Sequence, residues 1–138
     1  MAYQARRAVK KVEVLELVNE DGLVEHKIEV DLSADGLLSN VRGKYVELQK
    51  LMQKLNQAKS DNYKDYTLEE LGSAVTDLYK ACFGDENTLI ILEFYKNRVI
   101  EMTKEVTPFI LDVVIPRASE IKKEISKQKL SKYKRGFF

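Results

Sequence analysis

Residues 24–32 read Val-Glu-His-Lys-Ile-Glu-Val-Asp-Leu, and this strict alternation limits the possible folds more than any other stretch of the chain. Val24, His26, Ile28, Val30 and Leu32 share one face of a strand, and Glu25, Lys27, Glu29 and Asp31 share the other. Val12, Val14, Leu15, Leu17 and Val18 supply a partner strand with less regular alternation. Asn19-Glu20-Asp21-Gly22 between them is a turn, with Gly22 taking the positive φ that such turns require. Residues 11–32 are therefore expected to form a β-hairpin. A lone hairpin is marginal in water. Its apolar face has to lie on helices or on another subunit.

The rest of the chain supplies the helices. Ser33 to Leu38 reads as a turn region around Gly36. A helix then runs to about Lys59, with Val41, Tyr45, Leu48, Met52 and Leu55 on one stripe and Gly43 weakening its first turns. Ser60 to Tyr66 is polar and is expected to be a loop. Thr67 and Glu70 have the spacing of a capping box, which starts a second helix. Leu68, Leu71, Val75, Leu78 and Cys82 form its stripe, and Gly84 is its stop signal. Asp85 can cap a third helix through about Val106, with a wide apolar face. Thr107-Pro108 restarts the chain, because proline suits the first position of a helix. A fourth helix follows, kinked at Pro116. It is apolar nearly all round from Phe109 to Ile115, then basic and amphipathic from Arg117 onward. The expected fold class is α+β and mainly α-helical: an N-terminal hairpin and about four helices. Residues 1–10 form a basic arm, 11–130 a single domain and 131–138 a basic, aromatic tail.

The totals narrow the function. The chain has 138 residues, enough for one domain with its own core. Its net charge of +1 hides a segregation. Residues 1–11 carry +4, residues 12–116 carry −9 and residues 117–138 carry +6. Basic ends on an acidic body attract acidic partners or a second copy. The single cysteine, Cys82, rules out an intrachain disulfide. No apolar run is long enough to span a bilayer, and the N-terminus lacks the apolar region of a signal peptide. These features together suggest a soluble cytoplasmic protein.

No catalytic or metal constellation stands out, and no cofactor is expected. His26 is the only histidine, and with one cysteine it has no zinc-ligand spacing around it. It reads as a packed or partner-facing residue. The acid pairs Glu69-Glu70 and Asp85-Glu86 fall at expected helix starts, where they complement the macrodipole. There is no nucleophile elbow and no phosphate-cradling glycine loop. The basic end, with Lys122, Lys123, Lys127, Lys129, Lys132, Lys134 and Arg135, could meet phosphates, and Tyr133, Phe137 and Phe138 could stack on bases. A small nucleic-acid-binding or regulatory protein is thus the alternative reading, and the acidic body argues against it. Phe109, Ile110, Val113 and Val114 on the fourth helix, with Val24, Ile28 and Val30 on the strand, are the candidate residues for self-association or partner contact. A plain core role is equally compatible with their pattern.

One series of residues adds a more specific expectation. Leu68-Glu69-Glu70-Leu71, Ala74-Val75, Phe83-Gly84-Asp85-Glu86-Asn87 and Ile91-Leu92-Glu93-Phe94-Tyr95 follow one another in order. Glu101-Met102, Val106, Pro108-Phe109-Ile110 and Ile115-Pro116 continue the series. Over about residues 67–120 it resembles the tail assembly chaperones of siphophages and prophages of Gram-positive hosts. The resemblance implies a non-enzymatic protein that coats the tape-measure protein and hands it to the polymerising tail tube protein. It also implies self-association into open helical or ring-like oligomers, residence in the host bacterial cytoplasm and absence from the finished virion. Such proteins are often made in a short and a frameshifted longer form, and the resemblance implies that this 138-residue chain is the short one.

Overall fold

The computed structural model describes the backbone of residues 2–7, 9–57 and 61–136, and the side chains of residues 2–7, 9–54 and 69–127. The expected hairpin is present as β1 (Val12–Val18) and β2 (Val24–Asp31), paired antiparallel in a two-stranded sheet. Leu15 lies opposite Ile28, and Leu17 opposite His26. The turn closes through the Asn19 side chain, whose Oδ1 accepts from the N–H groups of Asp21 at 2.9 Å and Leu23 at 3.0 Å. Gly22 takes φ of 80°, a conformation costly to a residue with a Cβ. The register shift between Leu17 and Val18 leaves Glu25 as the extra residue on β2, so Val24 pairs with Val18. β1 itself alternates regularly in burial, and its sequence looks irregular because both of its faces carry apolar residues. Leu15 and Leu17 face inward, while Val12, Val14 and Val18 are on the outside.

Four helical rods follow, so the fold is α+β and mainly α-helical. The first is α1 (Leu37–Gln57) and the second α2 (Asp61–Phe83); they pack along each other. The third, α3 (Asp85–Phe94), is short. The last rod is continuous: α4 (Val99–Phe109), a π-helical segment (Ile110–Val114) and α5 (Ile115–Gly136). The inner face of the hairpin, through Leu17, Ile28 and Val30, joins Val41 and Leu48 of α1, Val75, Leu78 and Tyr79 of α2, and Ile91 of α3. Met102, Val106, Ile110, Val114, Ala118 and Ile121 of the last rod complete this one core. Each such fully buried aliphatic side chain contributes about 1.5–3 kcal/mol. A buried polar link crosses the core. The Tyr79 hydroxyl lies 3.2 Å from the Met102 carbonyl and 2.9 Å from the Thr107 hydroxyl, tying α2 to α4.

Several expected boundaries differ. The loop expected at Ser60 to Tyr66 is helical from Asp61, so Thr67 lies inside α2 and does not start it. The stretch contains neither Pro nor Gly, and an acidic residue at the N-terminus of a helix is favourable there. The side chains of Leu55, Thr67 and Leu68 lie outside the described residues, as does Ser60. On α1, Val41 and Leu48 are buried as expected, but Met52 is half exposed.

The expected third helix is broken in two. Lys96 and Asn97 take φ of 52° and 61°. The Lys96 N–H bonds to the Glu93 carbonyl and the Asn97 N–H to the Leu92 carbonyl, each at 3.1 Å. This pair of bonds ends a helix in a Schellman motif, here without the usual glycine. Asp85 is the first helical residue of α3 and not its cap; the cap position belongs to Gly84, at φ 86° and ψ 168°.

Pro108 restarts nothing. It sits inside α4, and the chain runs through Phe109 into the π-segment without a break. The widened turn ends just before Pro116, which lies inside α5. A proline ring collides with the carbonyl four residues earlier in a regular helix, and a π-turn re-aims that carbonyl.

Two exposed ion pairs hold the start of β1 to α5. Glu13 meets Arg117 at 3.3 Å, and Lys11 meets Glu124 at 3.4 Å. Pairs this exposed contribute about 0–1 kcal/mol each and chiefly orient the hairpin.

Candidate functional site

The core takes four of the seven residues that the sequence nominates for partner contact. Ile110 and Val114 are fully buried in the π-segment, and Ile28 and Val30 are buried on the inner face of β2. Phe109 is half buried, its ring stacked at 6.2 Å on Phe83. Val113 is half buried and Val24 is exposed. The seven do not form one patch, because one side of every turn of the last rod, through Met102, Val106, Ile110, Val114 and Ala118, is taken up by the core, as is the side of β2 that carries Ile28 and Val30.

The accessible apolar surface lies elsewhere. Val12, Val14 and Val18 line the outer face of the hairpin, beside Asp31 and Glu29 of β2. That face is paired with nothing else among the described residues, and the sheet has only two strands. Each strand therefore has one edge outside the sheet, where backbone donors and acceptors can receive another strand. Leu89 on α3 and Ile100 on α4 are exposed as well, at 59% and 68%. The sequence pattern hides them, since a wide apolar helical face does not reveal which of its residues stay outside.

Two depressions flank α4. A cleft of about 380 Å³ lies between the hairpin turn and the α3–α4 corner, with Phe94 and Tyr95 beside Glu20, Glu25, Glu101 and Glu105. Burial raises the Tyr95 phenol above its usual range, and the charges of Glu105 and then Glu101 add to the effect. A larger groove of about 880 Å³ lies between α2 and α4, with Leu71, Gly72, Val99 and Ile100 as its apolar part. Glu69, Glu101, Glu105, Arg98 and Lys104 form its charged rim, and Arg98 is paired with Glu101 at 3.7 Å.

His26 is exposed, with its ring edge-on to Phe94 at 6.4 Å. Of the acid pairs, Asp85-Glu86 occupies the first turn of α3, whereas Glu69-Glu70 lies within α2. Among the described residues no group of three or more His, Cys, Asp or Glu is placed to hold a metal ion. Cys82 is buried, and desolvation pushes its thiol up to about 12. Tyr79 is likewise raised well above the usual phenol range by desolvation, partly offset by its hydrogen bond to Thr107. Both groups serve the core as neutral side chains. No helix among the described residues is long and apolar enough to cross a membrane. The tail residues Lys129, Lys132, Tyr133, Lys134, Arg135, Phe137 and Phe138 have side chains outside the described set. Comparison with models of protein families, with curated proteins and with solved structures gave no match.

Proposed function

We propose that this chain is a tail assembly chaperone of a long-tailed bacteriophage or prophage, acting by stoichiometric protein binding without catalysis. The observation that carries this reading is the ordered residue series from Leu68-Glu69-Glu70-Leu71 to Ile115-Pro116, whose order and spacing resemble that family. Its partners are the tape-measure protein, the tail tube protein and further copies of itself. It works in the host bacterial cytoplasm and leaves before the virion is finished. The exposed valines on the outer face of the hairpin and the open strand edges support a binding role, since such surfaces gain by being covered.

Co-expression with the tape-measure protein of the same phage is the direct test. The expected result is a soluble complex that co-purifies, with the tape-measure protein aggregating when expressed alone. A tape-measure protein that stays insoluble in the presence of this folded chain, and never co-purifies with it, rejects the reading.

A further inference from the structure

We propose that copies of this chain join head to tail, with the basic distal half of α5 of one copy seated in the groove between α2 and α4 of the next. The proposal gives a contact to the self-association contained in the functional reading above and rests on that part of it alone.

Three observations converge on this pairing. The groove has an apolar part that includes Ile100, which at 68% is the most exposed large apolar side chain among the described helical residues. Glu69, Glu101 and Glu105 stand around it with Arg98 and Lys104; the Arg98–Glu101 pair cancels, so Glu69 and Glu105 against Lys104 leave the rim negative by one charge. A groove of this kind takes an amphipathic helix of opposite charge.

The distal half of α5 has the complementary character. Among the described residues Ile121 is the last buried one of the rod, and every residue from Lys122 to Lys127 is exposed. Residues 122–135 carry seven basic groups and one acid, so this end bears +6. Ile125 offers an apolar side chain, 42% exposed, among the lysines. A helical stretch whose described residues are all exposed, as 122–127 are, gains from a partner.

The third observation is placement. Groove and basic end belong to the same continuous rod, with Ile100 near one end and Ile125 toward the other. At ~1.5 Å per residue they stand roughly 37 Å apart. A continuous helix cannot turn back on itself, so the end cannot fill its own groove. The two surfaces differ, so the contact is heterologous, and repetition closes a ring or extends a spiral.

Charge exchange tests the pairing. One variant carries Glu69→Lys and Glu105→Lys in the groove; the other carries Lys122→Glu, Lys123→Glu and Lys127→Glu in α5. Sedimentation velocity follows assembly against concentration, and circular dichroism follows helix content. The wild-type chain is expected to assemble, and to do so less at high salt. Each variant alone should need more than about tenfold higher concentration, since like charges now face each other. Their equimolar mixture should assemble again, because each groove then meets a 122–127 segment of opposite sign: the three changes take that segment from +2 to −4.

The proposal is overturned if the wild-type chain stays monomeric, if either variant assembles like wild type, or if the mixture of two folded variants stays apart. Should a charge reversal unfold the chain, Ile100→Ser and Ile125→Ser at exposed positions replace it. Loss of assembly in both then supports the contact, and retention in either removes it. Capture of the tape-measure protein by the same variants separates the two readings: a folded chain that captures its client without this contact refutes the docking alone.

Discussion

At the scale of single residues, the informative side chains are those that join the core through polar atoms. Tyr79 is fully buried, and its hydroxyl reaches both the Met102 carbonyl and the Thr107 hydroxyl. Tyr79→Phe leaves the Thr107 hydroxyl, itself buried, without this partner. The expected loss is about 1–3 kcal/mol in urea unfolding, with native helix content retained. Cys82 behaves as a small apolar residue. Its thiol ordinarily ionises near 9.0 and is held to about 12 in the fold. The native protein should therefore react with a thiol-specific disulfide reagent at pH 8 far more slowly than the unfolded chain does. The sign of the linked effect follows. Above pH 9 the unfolded chain loses this proton first, so stability is full below that pH and falls as pH rises toward 12. Chemical denaturation repeated at pH 8 and pH 10.5 should show a lower midpoint at the higher pH.

At the scale of elements, helix boundaries depend on backbone conformation as much as on side-chain pattern. Gly43 lies in α1 with open space where a Cβ would stand. Gly43→Ala should thus stabilise the protein by about 0.5–1 kcal/mol, read as a higher melting temperature. Lys96 ends α3 in the left-handed region, which costs a side chain other than glycine about 1–2 kcal/mol. Lys96→Gly should recover much of that cost, and an unchanged or lower melting temperature would show that the corner is not strained. The π-segment illustrates the reverse case. Pro108 and Pro116 bracket Ile110–Val114, and the chain keeps one rod by widening a turn where two prolines would suggest two helices.

At the scale of the molecule, charge is distributed lengthwise. The arm before β1 and the end of α5 are basic, whereas the body between them carries −9. With a pI near 7.7, the molecule has little net charge to keep copies apart at neutral pH. Turbidity across pH 5.5 to 10 should peak near the pI and clear on either side. A monotonic profile would show that segregated charge, and not net charge, governs its association. The inner face of the hairpin closes part of the core, and the exposed valines of β1 lie on the other face and take no part in it.

The local chemistry of the chain was sufficient for the hairpin, its turn at Asn19–Gly22 and the stop at Gly84, because each depends on residues within a few positions of one another. The absence of regular apolar alternation in β1 was also visible, although its cause, apolar residues on both faces of a regularly alternating strand, was not. Tertiary structure alone decided which half of each apolar stretch is covered. Phe109 to Ile115 is apolar on nearly every side, and only membership of the common core distinguishes buried Ile110 and Val114 from half-buried Val113. The groove beside Ile100 was equally hidden, since it belongs to α2 and α4 together. Periodicity states which residues share a side of one helix; what lies opposite that side is set by the cheapest way to bury all the faces at once.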